Sequence, residues 1–524
     1  MTTPHTHEST AQSEGAEDPG APRNEWRRQF IGLFIGLALA ILVFFIFPSN
    51  AIDTVQQSTG VDEEADYTLS AIRTVAAVTI LMGVWWMTEA IPLAATALIP
   101  LVIFPLASVG TIKEVGAPYA SATIFLFMGG FLIALSLQRW NLHRRLALYV
   151  VKLIGTSPRR LILGFMLATG FLSMWVSNTA TAVVMLPIGT SVLALTAETV
   201  GGWDKQKKFA TALMLGIAYS ASIGSLGTLI GTPPNAFLNA YMADTWDVTL
   251  GFGRWMAVGV PLALVFLLIA WALLITIFKP EMTEIPGGRE LINEEIKALG
   301  SWTRPQIMTG IIFVLAALAW VTLPIVLGDF DNYDDAIVGI AAGILLFILP
   351  ADSERRIRLL DWKTANEMPW DVLLLFGGGL SLSSAFNSSG LSLWIGEMAK
   401  GLSSLPIVLI VAAVAALVLF LTEITSNTAT AATFIPIMGG VAVGVGLTTE
   451  GDINVLLLTI PVALAATCAF MLPVATPPNA IAYGSGYVKI GEMIKGGVGL
   501  NVIGIFLITL TVFLLAVPIF GLTV

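Results

Sequence analysis

Ser177-Asn178-Thr179-Ala180-Thr181 is a polar cluster in the middle of a long apolar segment, and the same five residues return 249 positions later as Ser426-Asn427-Thr428-Ala429-Thr430. Further residues recur at the same separation: Phe127 as Phe376, Gly129 as Gly378, Pro187 as Pro436, and Ser173 as another hydroxyl residue, Thr422. Several matches at one constant separation indicate that the chain contains an internal repeat.

A second motif follows each polar cluster: Gly231-Thr232-Pro233-Pro234-Asn235 returns as Ala475-Thr476-Pro477-Pro478-Asn479. A proline inside a helix removes a hydrogen bond and clashes with the preceding turn. We therefore expect each motif to break a helix and to leave the carbonyl groups of Gly231 and Ala475 free.

The composition places these motifs in a membrane protein. Of the 524 residues, 56% are hydrophobic and 12% are charged, against about 45–50% and about 25% in soluble domains. This composition excludes a soluble enzyme. The single cysteine, Cys468, excludes a disulfide framework, and with only three histidines in the chain we expect no zinc or haem site.

Eleven apolar segments approach the length of roughly 20 residues that a membrane-spanning helix needs. They are 29–48, 72–88, 91–108, 120–138, 209–230, 256–278, 305–327, 334–350, 370–387, 453–475 and 497–521. Two further segments, 160–197 and 405–446, carry a Ser-Asn-Thr cluster at their middle. Each half has about 16 residues, or about 24 Å of helix, which is short of the ~30 Å hydrocarbon core. These segments therefore predict two re-entrant hairpins.

The predicted fold is an all-α polytopic membrane protein with eleven transmembrane helices plus two re-entrant hairpins. A cytoplasmic N-terminus and an outside C-terminus place 22 of the 26 Lys and Arg residues on the cytoplasmic side, as the positive-inside rule requires. The chain then crosses five times between the two Ser-Asn-Thr clusters, and an odd number of crossings gives an inverted-topology repeat. Such repeats are typical of secondary transporters, whose site lies at the repeat interface. A channel or a membrane enzyme is less well supported.

The polar motifs supply hydroxyl, amide and carbonyl oxygens, which are the ligands that hard cations prefer. We expect one sodium site from Ser173, Ser177, Asn178 and Gly231, and a second from Thr422, Ser426, Asn427 and Ala475. A half-helix begins directly after each Ser-Asn-Thr cluster. Its free N–H groups and positive dipole end attract an anion such as a carboxylate.

The four blocks that hold these motifs, 171–188, 222–240, 420–437 and 470–486, contain no Lys, Arg or His. Burial of an anion without a partner is prohibitive, so an anionic substrate has to enter together with cations. We therefore predict cation-coupled symport with at least two sodium ions. Glu423 is the only acid in these blocks. It either favours the second cation or faces the outside mouth of its hairpin, and we favour the mouth.

The paired Ser-Asn-Thr clusters and paired Thr-Pro-Pro-Asn breaks, together with Ser173 and Thr422, resemble the divalent-anion/sodium symporter family from about residue 29 to the end. The resemblance implies a homodimer in the lipid bilayer and an elevator-type alternating-access mechanism. It implies succinate, fumarate or malate as substrates, with citrate or sulfate in some branches. It also implies substrate contacts from one set of residues: Asn178, Thr179, Thr232, Asn427, Thr428, Thr476 and Pro477.

We therefore expect a symporter that imports C4-dicarboxylates with sodium across the plasma membrane, without a nucleic-acid partner. A sodium-independent dicarboxylate exchanger and a citrate or sulfate symporter of the same family are the alternatives. The predicted segments are a disordered cytoplasmic tail (1–28), scaffold helices (29–158), a first transport half with the inner hairpin and a broken helix (159–278), a cytoplasmic loop (279–304), scaffold helices (305–404), and a second transport half with the outer hairpin and a broken helix (405–524).

Overall fold

The computed structural model describes residues 23–58, 67–155, 157–285, 287–327, 333–352, 354, 356–447 and 453–524. The predicted disordered tail, 1–28, lies outside the described residues up to position 22. Residues 23–28 of this segment are helical, since the first helix begins at Arg23. Arg28 in this helix donates a hydrogen bond of 3.0 Å to Glu89 of a neighbouring segment.

The first half of the chain, up to position 277, is helical. Its helices are α1 Arg23–Ile46, α2 Ala51–Ser58, α3 Leu69–Thr88, α4 Leu93–Thr96, α5 Ile99–Leu106, α6 Ile112–Gly116, α7 Ala122–Arg139, α8 Leu142–Ile154, α9 Pro158–Ser173, α10 Asn178–Val200, α11 Lys207–Ser225, α12 Pro233–Trp246 and α13 Phe252–Ile277. Short 3₁₀ turns occupy Ala117–Ala120 and Trp203–Lys205.

The second half repeats this helical pattern. Its helices are α14 Gly288–Ala298, α15 Arg304–Leu327, α16 Asp335–Ile348, α17 Trp362–Ala365, α18 Trp370–Ser389, α19 Leu391–Ala399, α20 Ile407–Thr422, α21 Asn427–Gly444, α22 Leu456–Thr467, α23 Pro477–Gly484, α24 Ile490–Thr511 and α25 Val517–Phe520. A π turn, Val512–Ala516, joins the last two, and 3₁₀ turns lie at Lys400–Ser404 and Ile453–Val455. Two short antiparallel strands, β1 Pro350–Asp352 and β2 Ile357–Arg358, connect α16 to α17.

Eight helices of the described residues are long and apolar enough to cross a membrane, and four shorter apolar helices accompany them. A helix occupies each of the eleven predicted spans. The prediction of an all-α polytopic membrane protein is therefore confirmed.

Several predicted boundaries are wrong. The halves α9 and α20 have the expected 16 residues, but α10 has 23 and α21 has 18. At 1.5 Å per residue α10 measures about 35 Å, because nothing stops it before Gly201, whose φ of 80° ends the helix. The spans predicted to reach 230 and 475 end as helices at Ser225 and Thr467. The chain leaves the helix before the prolines because side chains bind the released backbone groups, as described below.

The two halves share one order of elements: α7 and α18, then the hairpins α9–α10 and α20–α21, then the broken helices α11–α12 and α22–α23, then the long helices α13 and α24. The repeat-related residues Phe127 and Phe376 contact each other edge to face, with ring centroids 5.3 Å apart. Equivalent residues of two repeats touch only near the axis that relates the repeats. The interface of the two halves therefore passes through this aromatic pair.

The broken helices interlock the halves. The second part of the first broken helix, α12, packs on α21 and α22 of the other half, and α23 packs in turn on α10 and α11. Each half therefore provides the packing surface for the second part of the other half's broken helix.

Repeat-related glycines allow close helix packing around this interface. A Cβ atom built at Gly129 would lie 2.3 Å from the backbone carbon of Gly339, and one built at Gly378 would lie 2.3 Å from the carbonyl oxygen of Ala97. Small residues at such contacts are typical of packed membrane helices. The glycines are therefore required by packing at equivalent positions of both halves.

We expect Gly129→Ala and Gly378→Ala each to destabilise the protein by about 1–3 kcal/mol, the usual effect of overpacking. The measurement is the melting temperature of the purified protein. Gly491→Ala is the matched control, because no atom lies within 4 Å of a Cβ built there. Melting temperatures equal to that of the control would contradict the packing role.

Candidate functional site

Four helices begin at one cavity of about 960 Å³. They are the second hairpin helices α10 and α21 and the second parts of the broken helices, α12 and α23. Helix N-termini carry partial positive charge and unpaired N–H groups. The cavity is therefore suited to an anion although no basic side chain lies among these four helix starts.

Most of the predicted site residues line this cavity. From the first half these are Ser177, Asn178, Thr179, Gly231 and Thr232; from the second half they are Ser426, Asn427, Thr428, Ala475, Thr476 and Pro477. Ser173 and Thr422 do not line it, because both are fully buried behind the hairpin tips. The structure thus separates an inner pair of hydroxyl residues from the residues that face the cavity.

In the first half the hydroxyl of Ser173 connects three elements. Its Oγ lies 2.7 Å from Asn178 Oδ1 and 2.7 Å from the carbonyl oxygen of Ala221. Asn178 Nδ2 donates a further, longer hydrogen bond of 3.4 Å to Ser225 Oγ. The hairpin tip and the end of α11 are therefore held together by side chains of the predicted first cation site.

The second half reproduces this arrangement. Thr422 Oγ1 lies 2.8 Å from Asn427 Oδ1 and 2.8 Å from the carbonyl oxygen of Ala466. A serine in one half and a threonine in the other thus make the same pair of contacts. The repeat preserves the position and contacts of the hydroxyl group and not the residue type. The inner hydroxyl of each predicted cation site therefore makes equivalent contacts in the two halves.

Two asparagines brace the loops of the broken helices. Asn235 Nδ2 donates to the carbonyl oxygens of Thr228 at 2.9 Å and Leu226 at 3.3 Å. Asn479 Nδ2 donates to those of Ala469 at 3.0 Å and Leu472 at 3.1 Å. For the carbonyl groups of Thr228 and Ala469 these are the hydrogen bonds that replace the interrupted helical ones, whereas Leu226 also accepts from Trp255 and Leu472 from the N–H of Ala475. Neither asparagine is a predicted site residue, although both lie at repeat-related positions of the Thr-Pro-Pro-Asn motif.

Gly231 and Ala475 occupy equivalent positions but differ in the space around them. A Cβ atom at Gly231 would lie 2.3 Å from the carbonyl oxygen of Ser225. The first loop is therefore closed too tightly for a side chain at this position, whereas the second loop accommodates the methyl group of Ala475.

The prediction that Glu423 faces the outside mouth of its hairpin is wrong. Its side chain is buried, and the residue is only 3% exposed. The carboxylate accepts hydrogen bonds from the backbone N–H groups of Phe470, Met471 and Leu472, at 2.7–3.2 Å, and from Asn501 Nδ2 at 2.7 Å. These donors turn the side chain inward because the broken helix α22–α23 leaves their N–H groups free.

The same cavity is also lined by four exposed charged residues, namely Arg28, Glu89, Glu367 and Asp371. Arg28 and Glu89 form an ion pair of 3.0 Å in which both side chains are about half exposed. Among the described lining residues Arg28 is the one cation. The charged groups therefore lie at the mouth, and uncharged groups surround the helix starts.

Comparison with known proteins identifies the family of this chain. The family model described as the transmembrane region of sodium:sulfate symporters matches residues 37–522. The chain belongs to this family. The resemblance predicted from the paired motifs is therefore confirmed, and the protein is a membrane transporter and not an enzyme.

Relatives within the family are similar along most of their length. The sodium-dependent dicarboxylate transporter SdcS of Staphylococcus saprophyticus is 41% identical over 505 residues, which cover 95% of this chain and 93% of the relative. SdcS of Staphylococcus aureus strain USA300 is 42% identical over 447 residues, covering 84% and 85%. The crystal structure of the YdaH transporter of Alcanivorax borkumensis, with an unusual topology, is similar in fold, with a TM-score of 0.50 at 17% identity over 85% of this chain and 98% of that one.

We expect Asn235→Ala and Asn479→Ala each to destabilise this transporter by about 1–3 kcal/mol, because the buried carbonyl groups of Thr228 and Ala469 would lose their donor. The melting temperature of the purified protein measures this effect, and Asn366→Ala, at an exposed position, is the control. A melting temperature unchanged in both buried variants would show that the loops do not depend on these amides.

Proposed function

We propose that this transporter imports C4-dicarboxylates such as succinate, fumarate or malate, together with at least two sodium ions. The observation that carries the proposal is the pair of equivalent oxygen clusters at one cavity onto which four helix N-termini open. The relatives at 41% and 42% identity, both sodium-dependent dicarboxylate transporters by name, favour the same substrate class.

The two hairpin tips suit a ligand with two carboxylates. Thr179 and Thr428 are the second residues of α10 and α21, and both line the cavity. We propose that each hydroxyl donates to one carboxylate, while the N-terminal N–H groups of the same helix support it. Asn178, Asn427, Thr232, Thr476 and Pro477 complete the proposed substrate contacts from the two tips and the two broken helices.

Sodium ions supply the positive charge that the inner cavity lacks. We propose that Ser173, Ser177, Asn178 and the carbonyl of Gly231 bind one ion, and that Thr422, Ser426, Asn427 and the carbonyl of Ala475 bind another. Two ions neutralise one dianion, so the dianion does not enter the interior as an uncompensated charge.

The interlocked packing of α12 on α21 and α22, and of α23 on α10 and α11, supports movement of both site halves as one unit. We propose that residues 159–278 and 405–524 form this moving unit and that 29–158 and 305–404 form the scaffold of a homodimer. Alternating access is then of the elevator type. By the distribution of basic residues the N-terminus is cytoplasmic and the C-terminus lies outside the plasma membrane.

The decisive experiment is uptake into proteoliposomes of labelled succinate, fumarate, malate, citrate and sulfate, with Na⁺, Li⁺ or K⁺ outside. We expect concentrative C4-dicarboxylate uptake into empty vesicles that requires Na⁺ and rises with a Hill coefficient above one. Uptake only into vesicles preloaded with a dicarboxylate would identify an exchanger instead. Preference for citrate or sulfate would move the protein to another substrate class.

We expect Thr179→Val and Thr428→Val each to weaken apparent substrate affinity about tenfold or more, because a hydrogen bond to a charged group contributes roughly 1.5–3 kcal/mol. Valine keeps the volume of threonine and removes its donor. Thr276→Val is the matched control, because that hydroxyl donates within its own helix, to Ala272. Unchanged affinity for succinate in both hairpin variants would place the threonine hydroxyls away from the substrate.

A further inference from the structure

Glu423 is the one buried acidic side chain among the described residues. Three successive backbone N–H groups of the α22–α23 loop surround its carboxylate, and Asn501 from α24 adds a fourth donor group. Successive N–H groups of this kind form an anion-binding concavity. All of these neighbours are N–H donors, so the loop is suited to the ionised carboxylate.

The carboxylate is already saturated by these donors. It accepts five hydrogen bonds, counting both contacts of Met471, and an ionised carboxylate offers about four lone-pair positions. No Lys or Arg of the described residues approaches it. Glu423 thus does not serve as a cation ligand, but its charge is left without a counter-charge in a buried environment.

The first half lacks this charge. Met174 occupies the position equivalent to Glu423, and its carbonyl oxygen accepts from Thr228 of the first loop. Trp255 of α13 donates through Nε1 to the carbonyl oxygen of Leu226 in that loop, at 3.2 Å. The two loops are therefore held in similar ways, one by neutral groups alone and the other by an anion.

The charge belongs to the hairpin and loop of the second predicted cation site, whereas the equivalent position of the first is the neutral Met174. Glu423 follows Thr422 directly in the chain. The loop whose N–H groups bind its carboxylate leads to Ala475. Two members of the second cluster, Thr422 and Ala475, are therefore close in sequence to Glu423 or to its binding loop. Two unit charges on the order of 10 Å apart interact by roughly 1.7 kcal/mol at an effective dielectric constant near 20, which is more than tenfold in affinity. The first cluster also feels this charge from farther away, so the two affinities differ by less than the full interaction, and even a several-fold difference decides which site fills first.

We propose that Glu423 makes the two cation sites unequal, so that the cluster of Thr422, Ser426, Asn427 and Ala475 binds sodium first and the cluster of Ser173, Ser177, Asn178 and Gly231 binds it second. Glu423 is a positioning residue in this scheme and acts through its charge. The inference rests on the proposed sodium coupling and adds an order of binding to it. The first ion prepares one hairpin tip, and the second completes the site for the dianion.

The experiment measures sodium binding without transport, as the melting temperature of the full-length protein in lipid nanodiscs over a sodium titration, with choline keeping the ionic strength constant. Ligand binding to the folded state raises its stability with concentration. We expect two phases in the unaltered protein. Asn427→Ala should remove the phase at low sodium, whereas Asn178→Ala should remove the phase at high sodium.

Glu423→Gln should move the low-sodium phase about tenfold higher, so that the two phases merge. Glu423→Asp keeps the charge and should retain most of the separation, which a merely structural role would not predict. The inference is overturned if Glu423→Gln leaves the titration unchanged, if Gln and Asp shift it equally, or if Asn427→Ala removes the high-sodium phase. Because the last comparison needs no change at Glu423, it decides the order even if Glu423→Gln does not fold.

A different set of results would contradict the proposed sodium coupling itself. If sodium does not raise the melting temperature of the unaltered protein beyond the effect of choline, and succinate uptake is independent of sodium, then sodium coupling itself is wrong. Sodium-driven uptake with a single binding phase that Glu423→Gln does not shift would leave the proposed function intact and reject the order of binding.

Discussion

Backbone groups inside a bilayer have to find their hydrogen-bond partners within the protein, because no water is available to them there. The two broken helices of this transporter interrupt their own backbone hydrogen bonding at the site. Side chains elsewhere in the structure bind the backbone groups that this interruption releases. Asn235 and Asn479 bind the carbonyl side of each loop, and Glu423 binds the N–H side of the second. The interruption is useful because it leaves helix starts and carbonyl oxygens at the cavity.

The inverted repeat brings two such broken helices together at one site. One half supplies a hairpin tip and a broken helix, and the second half supplies their counterparts from the opposite direction, so four helix N-termini reach one cavity. The contacts of Ser173 and Thr422 are equivalent to within 0.1 Å. The halves differ most in charge at Met174 and Glu423, because one half is neutral there and the other carries a buried acidic residue. The site is therefore symmetric in shape and asymmetric in electrostatics.

Much of the architecture could be predicted from periodic apolar segments and repeated motifs. The eleven helical positions and the residues around the cavity follow from segment length and from the paired Ser-Asn-Thr and Thr-Pro-Pro-Asn motifs. The helix ends at Ser225 and Thr467 could not be predicted, because apolar composition continues past them and only the partners of the loop backbone end the helix. The roles of Asn235 and Asn479 were missed for the same reason, although their repeat-related positions were a usable signal.

The membrane location, the repeat and the chemical types at the site follow from the amino-acid sequence, because the length of an apolar segment and the identity of a residue do not depend on the fold. Tertiary structure alone decided which of these residues face the cavity and which lie behind it. Ser173 and Thr422 are buried by packing against α11 and α22. The inward direction of Glu423 likewise depends on N–H groups 47 to 49 residues away in the chain, and such distant contacts arise only when the broken helix folds against the hairpin.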